Sequence, residues 1–240
     1  MQQPDSLGER PTDRIAVRWI KENFQFGDEQ VEKNRGTESR CGRMAKKNQK
    51  NTVPDLGNIY LSGFMCSGKT TAGAALARAL HRPFFDSDLL LRKNAGAAAV
   101  IREKGLRAFR KIEGEHVKKL AAGRGLVIAL GGGVYPSLRW RGLFKKTGIT
   151  VFLSCPWPQL KARLEAGRAG RPLLDGPWKT TALRAKKLYS ARLRFYRCAD
   201  ITINTSGLTP AQTAEKIKKA LSGIPEFTAE TRRPLRRVFI

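Results

Sequence analysis

The sequence has little of what marks a secreted or a membrane-spanning protein. Its four cysteines are scattered along 240 residues without paired spacing, which argues against a disulfide framework and against a zinc site. No apolar run approaches the ~18 residues of a membrane span. The N-terminus also has no apolar segment of the kind found in secretory signals. We therefore expect a cytoplasmic protein without a membrane partner.

Acidic residues are scarce relative to basic ones, and the imbalance is unevenly distributed. The chain has a formal net charge of +26, yet residues 1–43 hold eight acids and eight Lys or Arg. Such a charge attracts nucleic acid, anionic membrane or small acidic substrates, and it is equally typical of a general solubility bias. Nucleic-acid binding would favour aromatic platforms among the basic residues, whereas the four Trp and four Tyr are dispersed. We therefore expect a small-molecule partner rather than nucleic acid.

Residues 1–52 differ in composition from the remainder of the chain. They contain few aliphatic residues and no sustained hydrophobic period, so we expect them to be disordered, with Met44 as an alternative translation start. From there to about residue 222, short apolar runs alternate with helical patterns. This alternation predicts a parallel sheet covered by helices on both faces. Residues 223–240 are expected to form a basic tail.

A glycine-rich motif follows the first apolar run. Residues 59–71 read I-Y-L-S-G-F-M-C-S-G-K-T-T, and good helix formers come next. A strand, a glycine loop and a helix in this order are the context in which backbone N–H groups and a helix N-terminus bind phosphate. Lys69 would reach the outer phosphates and the Thr70 hydroxyl would hold Mg²⁺. A tight turn between two core elements is the alternative, but the full context favours a nucleoside triphosphate site.

Two acids, Asp86 and Asp88, close the next predicted strand. Ligands gather at this end of the strands in open α/β sheets. One acid there can hold Mg²⁺, directly or through water, and a second can orient or deprotonate an attacking hydroxyl. The same residues could instead cap the helix that follows. The pattern alone leaves both interpretations open.

Arg110 and Glu113 are three residues apart and share one face of a predicted helix. The acid can fix the guanidinium there for a carboxylate ligand, although a surface ion pair has the same spacing. The glycines at 131–133 follow a buried strand, where bare backbone lets a ligand approach closely or simply makes a flexible loop.

A glycine-rich segment further along the chain carries three arginines, Arg163, Arg168 and Arg171. Mobile arginines near a transferring phosphate neutralise developing charge and exclude water when the segment closes. A generic basic loop is the alternative interpretation.

Taken in order, these motifs resemble those of the shikimate kinases, a family of small P-loop kinases. The matching series is G-F-M-x-S-G-K-T-T, F-x-D-x-D, F-R-x-x-E, G-G-G, R-P-L-L and R-x-x-x-Y, within residues 58–221. The resemblance implies a three-layer α/β fold with a five-stranded parallel sheet in the order 2-3-1-4-5 and a small lid. The kinase domain would span residues 53–222, with a substrate-binding region near 87–115 and the lid near 164–176. We expect a monomer.

The resemblance also implies an activity, the ATP- and Mg²⁺-dependent phosphorylation of the 3-hydroxyl of shikimate in aromatic amino-acid biosynthesis. Lys69, Asp88 and Arg171 would act in catalysis, and Mg²⁺ would be held by Thr70 and Asp86. The residues implied to bind ATP are Met65, Cys66, Ser67, Gly68, Lys69, Thr70, Thr71, Arg163 and Arg171. Those implied to bind shikimate are Asp88, Arg110, Glu113, Gly131, Gly132, Gly133 and Arg192.

Two alternatives to this activity remain. The first is a related P-loop kinase for another hydroxy acid such as gluconate, against which Arg110, Gly132 and Arg192 together favour a cyclic carboxylate. The second is a basic protein that binds nucleic acid and uses ATP as a switch. The sequence also departs from the family pattern at Cys66, which stands where a glycine is usual in the middle of the phosphate loop.

Overall fold

The structure of the chain is a computed structural model. The structure describes residues 56–95, 97–135, 137–167, 174–224 and 238–239, all of which lie in one compact unit, residues 53–240. The expected disorder of residues 1–52 therefore falls outside the described residues, as does the middle of the expected lid, residues 168–173. Within the described part of the chain, no helix combines the length and the apolar character needed to cross a membrane.

Strands and helices alternate along the described residues. The strands are β1 (Asn58–Ser62), β2 (Phe84–Asp86), β3 (Val127–Ala129), β4 (Gly148–Ser154), β5 (Ile201–Asn204) and β6 (Val238–Phe239). The helices are α1 (Lys69–Ala79), α2 (Ser87–Ala95), α3 (Ala97–Ala122), α4 (Arg141–Thr147), α5 (Trp157–Ala166), α6 (Trp178–Tyr196) and α7 (Pro210–Ser222), with a 3₁₀ turn at Leu138–Trp140. Helix α3 is two helical segments joined at Gly105, whose φ of 77° and ψ of 170° are not helical.

The strands form one parallel sheet in the order β2-β3-β1-β4-β5-β6. The first five reproduce the order 2-3-1-4-5, so the predicted fold is confirmed. The sixth strand adds to it, because Val238 and Phe239 pair with β5 from within the segment that the sequence predicted to be a tail. Two residues are too few to show a hydrophobic period, and the sequence therefore gave no signal for this strand.

The central strand β1 is buried on both faces, and its side chains alternate between two packing layers. Ile59 belongs to an aliphatic cluster that includes Leu76 of α1 and Ile217 of α7. Tyr60 faces the opposite layer, where its ring centroid lies 4.5 Å from that of Phe144 of α4. Because parallel strands all end on one edge, the loops after β1, β2 and β3 meet at the carboxyl edge of the sheet.

Candidate active site

The phosphate loop begins directly after β1 and runs into α1. Gly63 has φ of +148°, and a Cβ there would lie 2.7 Å from Ser67 Oγ and 2.9 Å from the carbonyl oxygen of Leu153. Cys66 also has positive φ, +60°, a left-handed conformation that costs a residue with a Cβ ~1–2 kcal/mol. Cys66 therefore keeps the backbone conformation that a glycine would adopt at this position.

Lys69 and Thr70 occupy the end of the loop. The Lys69 ammonium donates hydrogen bonds to the carbonyl oxygens of Gly63, at 3.0 Å, and of Phe64, at 2.9 Å. The Thr70 hydroxyl donates to Asp86 Oδ2 at 2.6 Å. A lysine, a threonine hydroxyl and a carboxylate are thus adjacent at the mouth of the phosphate loop.

The two carboxylate oxygens of Asp86 have different partners. Its Oδ1 accepts the backbone N–H groups of Asp88, at 3.0 Å, and of Leu89, at 3.1 Å, and so caps the start of α2. Its Oδ2 is turned to Thr70 instead. The capping and metal-binding interpretations are therefore compatible, because the cap fixes the carboxylate that a metal ion would use.

A cavity of about 460 Å³ lies beside the phosphate loop. Residues 66–71 of the loop and Arg163 line it, whereas Met65 does not. Arg163 Nη1 also donates to the carbonyl oxygen of Cys66 at 3.4 Å, which connects α5 to the loop. The volume lies within the range of ~300–1,000 Å³ that is usual for small-molecule sites.

Sequence reasoning missed the far wall of this cavity. The wall residues without a predicted role are Gly167, Thr205, Leu208, Pro210 and Thr213. Most of them lie between β5 and the start of α7, so a signal was present in their position after a parallel strand. The wall is well fixed, because Thr209 caps α7 through a reciprocal pair of hydrogen bonds with Gln212.

The glycine turn at residues 131–133 makes the second part of the site. Each of its glycines packs against one of the charged side chains that the sequence assigned to the acceptor substrate. A Cβ on Gly131 would overlap the Asp88 carboxylate. A Cβ on Gly132 would lie 3.5 Å from Arg192 Nη1, and a Cβ on Gly133 would lie 2.6 Å from Arg110 Nη1. Side chains therefore leave no room for a Cβ on Gly131 and Gly133, whereas Gly132 is in ordinary contact with Arg192.

Arg110 is held in place by Glu113. Arg110 Nη1 lies 2.6 Å from Glu113 Oε2, and the two side chains are 43% and 8% exposed. Burial raises the pKa of Glu113 above its ordinary 4.5, the nearby Arg110 opposes this rise, and the Asp88 carboxylate adds to it. A simple surface pair is thus excluded, because a buried carboxylate orients a partly exposed guanidinium that remains available to an anionic ligand.

The described residues fit a bound Mg²⁺ but not a preformed metal cluster. Within the described ranges no group of three His, Cys, Asp or Glu side chains converges. Mg²⁺ needs no such group in kinases, because it takes most of its ligands from water and phosphate and only one or two from protein. The Thr70 hydroxyl beside Asp86 is such a minimal pair. Arg168 and Arg171 lie outside the described residues.

Comparison with known proteins identifies the family that the motifs resemble. The family model described as "Shikimate kinase" matches residues 65–222. The chain belongs to the shikimate kinase family. The prediction of a P-loop phosphotransferase of this family, whose members are ATP-dependent kinases, is thereby confirmed.

Individual family members match across most of the chain. A shikimate kinase of Sulfurihydrogenibium sp. (strain YO3AOP1) is 36% identical over 162 residues, covering 67% of this chain and 95% of the relative. A shikimate kinase of Synechococcus sp. (strain JA-3-3Ab) is 38% identical over 167 residues, covering 68% of this chain and 86% of the relative. These alignments cover about two thirds of this chain and most of each relative.

Two solved structures have the same fold. Shikimate kinase from Acinetobacter baumannii, in complex with shikimate, superposes with a TM-score of 0.64 at 32% identity, covering 69% of this chain and 93% of that one. Shikimate kinase from Aquifex aeolicus VF5 gives a TM-score of 0.60 at 34% identity, covering 69% of this chain and 96% of that one. Neither alternative activity, on gluconate or on nucleic acid, is favoured by these matches.

Proposed function

We propose that this kinase transfers the terminal phosphoryl group of ATP to the 3-hydroxyl of shikimate, giving shikimate 3-phosphate and ADP. The observation that carries the proposal is the meeting of two anion-binding parts at one sheet edge. The phosphate loop follows β1 and the glycine turn follows β3. Strand β2 pairs with β3 and ends at Asp86, and Asp88 lies in the first turn of α2 that follows. Family membership supports the same reaction.

ATP would occupy the cavity beside the phosphate loop. The loop N–H groups and Lys69 would bind its phosphates, and Arg163 and the loop after β5 would enclose the nucleoside. Thr70 and Asp86 would hold Mg²⁺, which supplies positive charge against the phosphate oxygens. Arg171 would close onto ATP from the lid, an assignment that rests on its R-P-L-L motif.

Shikimate would lie against the glycine turn. Arg110 and Arg192 provide two guanidinium groups for its carboxylate, and Glu113 holds the first of them. Asp88 packs on Gly131, at the end of the turn opposite to Arg110. Its backbone N–H donates to Asp86, which also accepts a hydrogen bond from Thr70 at the end of the phosphate loop. The Asp88 carboxylate would accept a hydrogen bond from the 3-hydroxyl and take its proton as the phosphoryl group arrives.

Two further assignments belong to this proposal. We place the enzyme in the cytoplasm, consistent with the absence of paired cysteine spacing in the sequence. We also propose a monomer, as expected from the sequence.

Product analysis tests the proposal. With ATP, Mg²⁺ and shikimate, phosphorus NMR should show one phosphate ester, at the 3-hydroxyl, for each ADP formed. Asp88→Asn should lower kcat by ~10²–10⁴-fold, since a positioned proton acceptor contributes about that factor. Glu215→Gln, an exposed carboxylate on α7, is the matched control and should not change the rate. A product phosphorylated at another hydroxyl, or an Asp88→Asn variant with the wild-type rate, would contradict the proposal.

A further inference from the structure

The glycine turn is held from two sides by buried hydroxyl groups that the motifs left without a role. The Gly131 N–H donates to Ser87 Oγ at 2.8 Å. The Tyr196 hydroxyl donates to the carbonyl oxygen of Gly132 at 3.0 Å. Ser87 is 1% exposed and Tyr196 is fully buried, so both side chains are enclosed in the protein interior.

We propose that Ser87 and Tyr196 are positioning residues for the acceptor substrate, which they influence by fixing the turn at residues 131–133. This inference rests on the proposed function, because the turn is where shikimate would bind. It adds a supporting layer to the site, in which neither residue needs to touch the substrate.

The Ser87 hydrogen bond connects two parts of the site that belong to different strands. Ser87 lies between Asp86 and Asp88 and follows β2 as the first residue of α2, whereas Gly131 follows β3. The Asp88 carboxylate packs against Gly131 itself. A turn released from Ser87 could therefore move relative to Asp88, which changes the distance between the proton acceptor and the bound hydroxyl.

Tyr196 connects the turn to a buried aromatic layer. Its ring stacks on Phe152, with centroids 5.4 Å apart, and on Tyr135, at 6.4 Å, so the hydroxyl has a fixed position. Burial raises the pKa of Tyr196 to about 12, although the positive charge of Arg192, one helical turn earlier in α6, opposes this rise. The hydroxyl therefore keeps its proton at neutral pH and donates a hydrogen bond to the Gly132 carbonyl.

A second buried tyrosine, Tyr60, provides a control that separates an effect on substrate positioning from an effect on protein stability. Tyr60 is 1% exposed, and its hydroxyl bonds Thr147 Oγ1 at 2.6 Å and the amide of Asn58 at 3.2 Å. Removing this hydroxyl deletes one hydrogen bond of each partner, as at Tyr196, but neither partner belongs to the glycine turn. A merely structural effect should appear in both variants, whereas a positioning effect should appear only at Tyr196.

The experiment compares steady-state constants for the full-length wild type and for Ser87→Ala, Tyr196→Phe and Tyr60→Phe. We expect Ser87→Ala and Tyr196→Phe to raise the shikimate KM ~10-fold, while the ATP KM stays within about twofold. Tyr60→Phe should lower Tm by an amount similar to Tyr196→Phe and leave both KM values within about twofold. The unchanged ATP KM shows that the variants are folded, and Ser87→Ala decides the matter if Tyr196→Phe does not fold.

The proposal is overturned if Ser87→Ala has the wild-type shikimate KM. It is also overturned if Tyr60→Phe raises that KM as much as Tyr196→Phe does. Failure of the proposed function looks different, because the wild type would then not phosphorylate shikimate at all. In that case the same four proteins are compared on whichever acceptor the wild type phosphorylates. An unchanged acceptor KM in Ser87→Ala, or an equal rise in Tyr60→Phe and Tyr196→Phe, would again overturn the positioning role.

Discussion

Replacing Arg110 by alanine removes the guanidinium that the site offers to the acceptor's carboxylate. Arg110 packs on the glycine turn and is outside the cavity assigned to ATP. A hydrogen bond to a charged group contributes ~1.5–3 kcal/mol, or ~10- to 150-fold in affinity. Because the Arg110 side chain is 43% exposed and partly screened by water, the lower end applies. We expect the shikimate KM to rise ~10- to 30-fold, with the ATP KM within about twofold.

The same substitution has a pH signature through Glu113. Burial already raises the pKa of Glu113, and Arg110 opposes that rise. Without Arg110 the pKa rises further, so the folded variant binds a proton at a higher pH than the unfolded chain does. Such a group destabilises the fold above its raised pKa, and the loss is recovered as the pH falls through that pKa towards 4.5. The Tm difference between wild type and Arg110→Ala should therefore shrink on acidification.

Coupled measurement of ADP release, with one substrate varied at a time, provides the kinetic test. Arg110→Lys should recover little, because a point charge cannot reproduce the planar geometry of a guanidinium. Lys118→Ala is the matched control, since Lys118 and Glu115 form another pair three residues apart on α3, both 56% exposed. It should change neither KM and should cost less than ~1 kcal/mol in stability. A rise in the ATP KM with an unchanged shikimate KM would refute the placement of the carboxylate site.

Three further predictions concern the phosphate loop and the glycine turn. Lys69→Ala should lower kcat ~10²–10³-fold while circular dichroism shows a folded protein; a variant with a third of wild-type activity would contradict the assignment. Iodoacetamide should inactivate the wild type by modifying Cys66 inside the ATP cavity, and saturating ATP should slow the loss. Cys66→Gly, which suits the φ of +60°, should stay active and resist the reagent, so equal inactivation of both proteins would dismiss the idea. Gly131→Ala should lower kcat at least ~10-fold because its Cβ would displace Asp88, whereas Gly142→Ala, which has open space around it, should keep full activity.

Much of the fold followed from local sequence patterns. Strands β1 and β3 are buried and mostly apolar runs, whereas the strand order, with β1 at the centre, was implied by the resemblance to the shikimate kinases. Strand β6 was not predictable, because its two residues join the sheet only through pairing with β5. Local patterns predict a strand when it is long enough to show a period, and β6 is not.

The candidate site was predictable in its motifs but not in its environment. The three-residue spacing of Arg110 and Glu113 predicted their contact, whereas the burial of the acid depends on packing between distant segments. The cavity wall near Thr205 and the hydrogen bonds of Ser87 and Tyr196 to the glycine turn join residues more than 40 positions apart. Such contacts are set by the three-dimensional fold, and no single-sequence pattern reports them.

The central claim concerns the acceptor, and a comparison of kcat/KM among acceptors tests it most directly. The wild-type protein is given ATP and Mg²⁺ with shikimate, gluconate or a nucleoside monophosphate, and ADP release is followed for each. The account predicts that shikimate is preferred by at least ~100-fold, because only a cyclic carboxylate can use the Arg110 and Arg192 contacts together. Equal or faster phosphorylation of gluconate or of a nucleotide would contradict it.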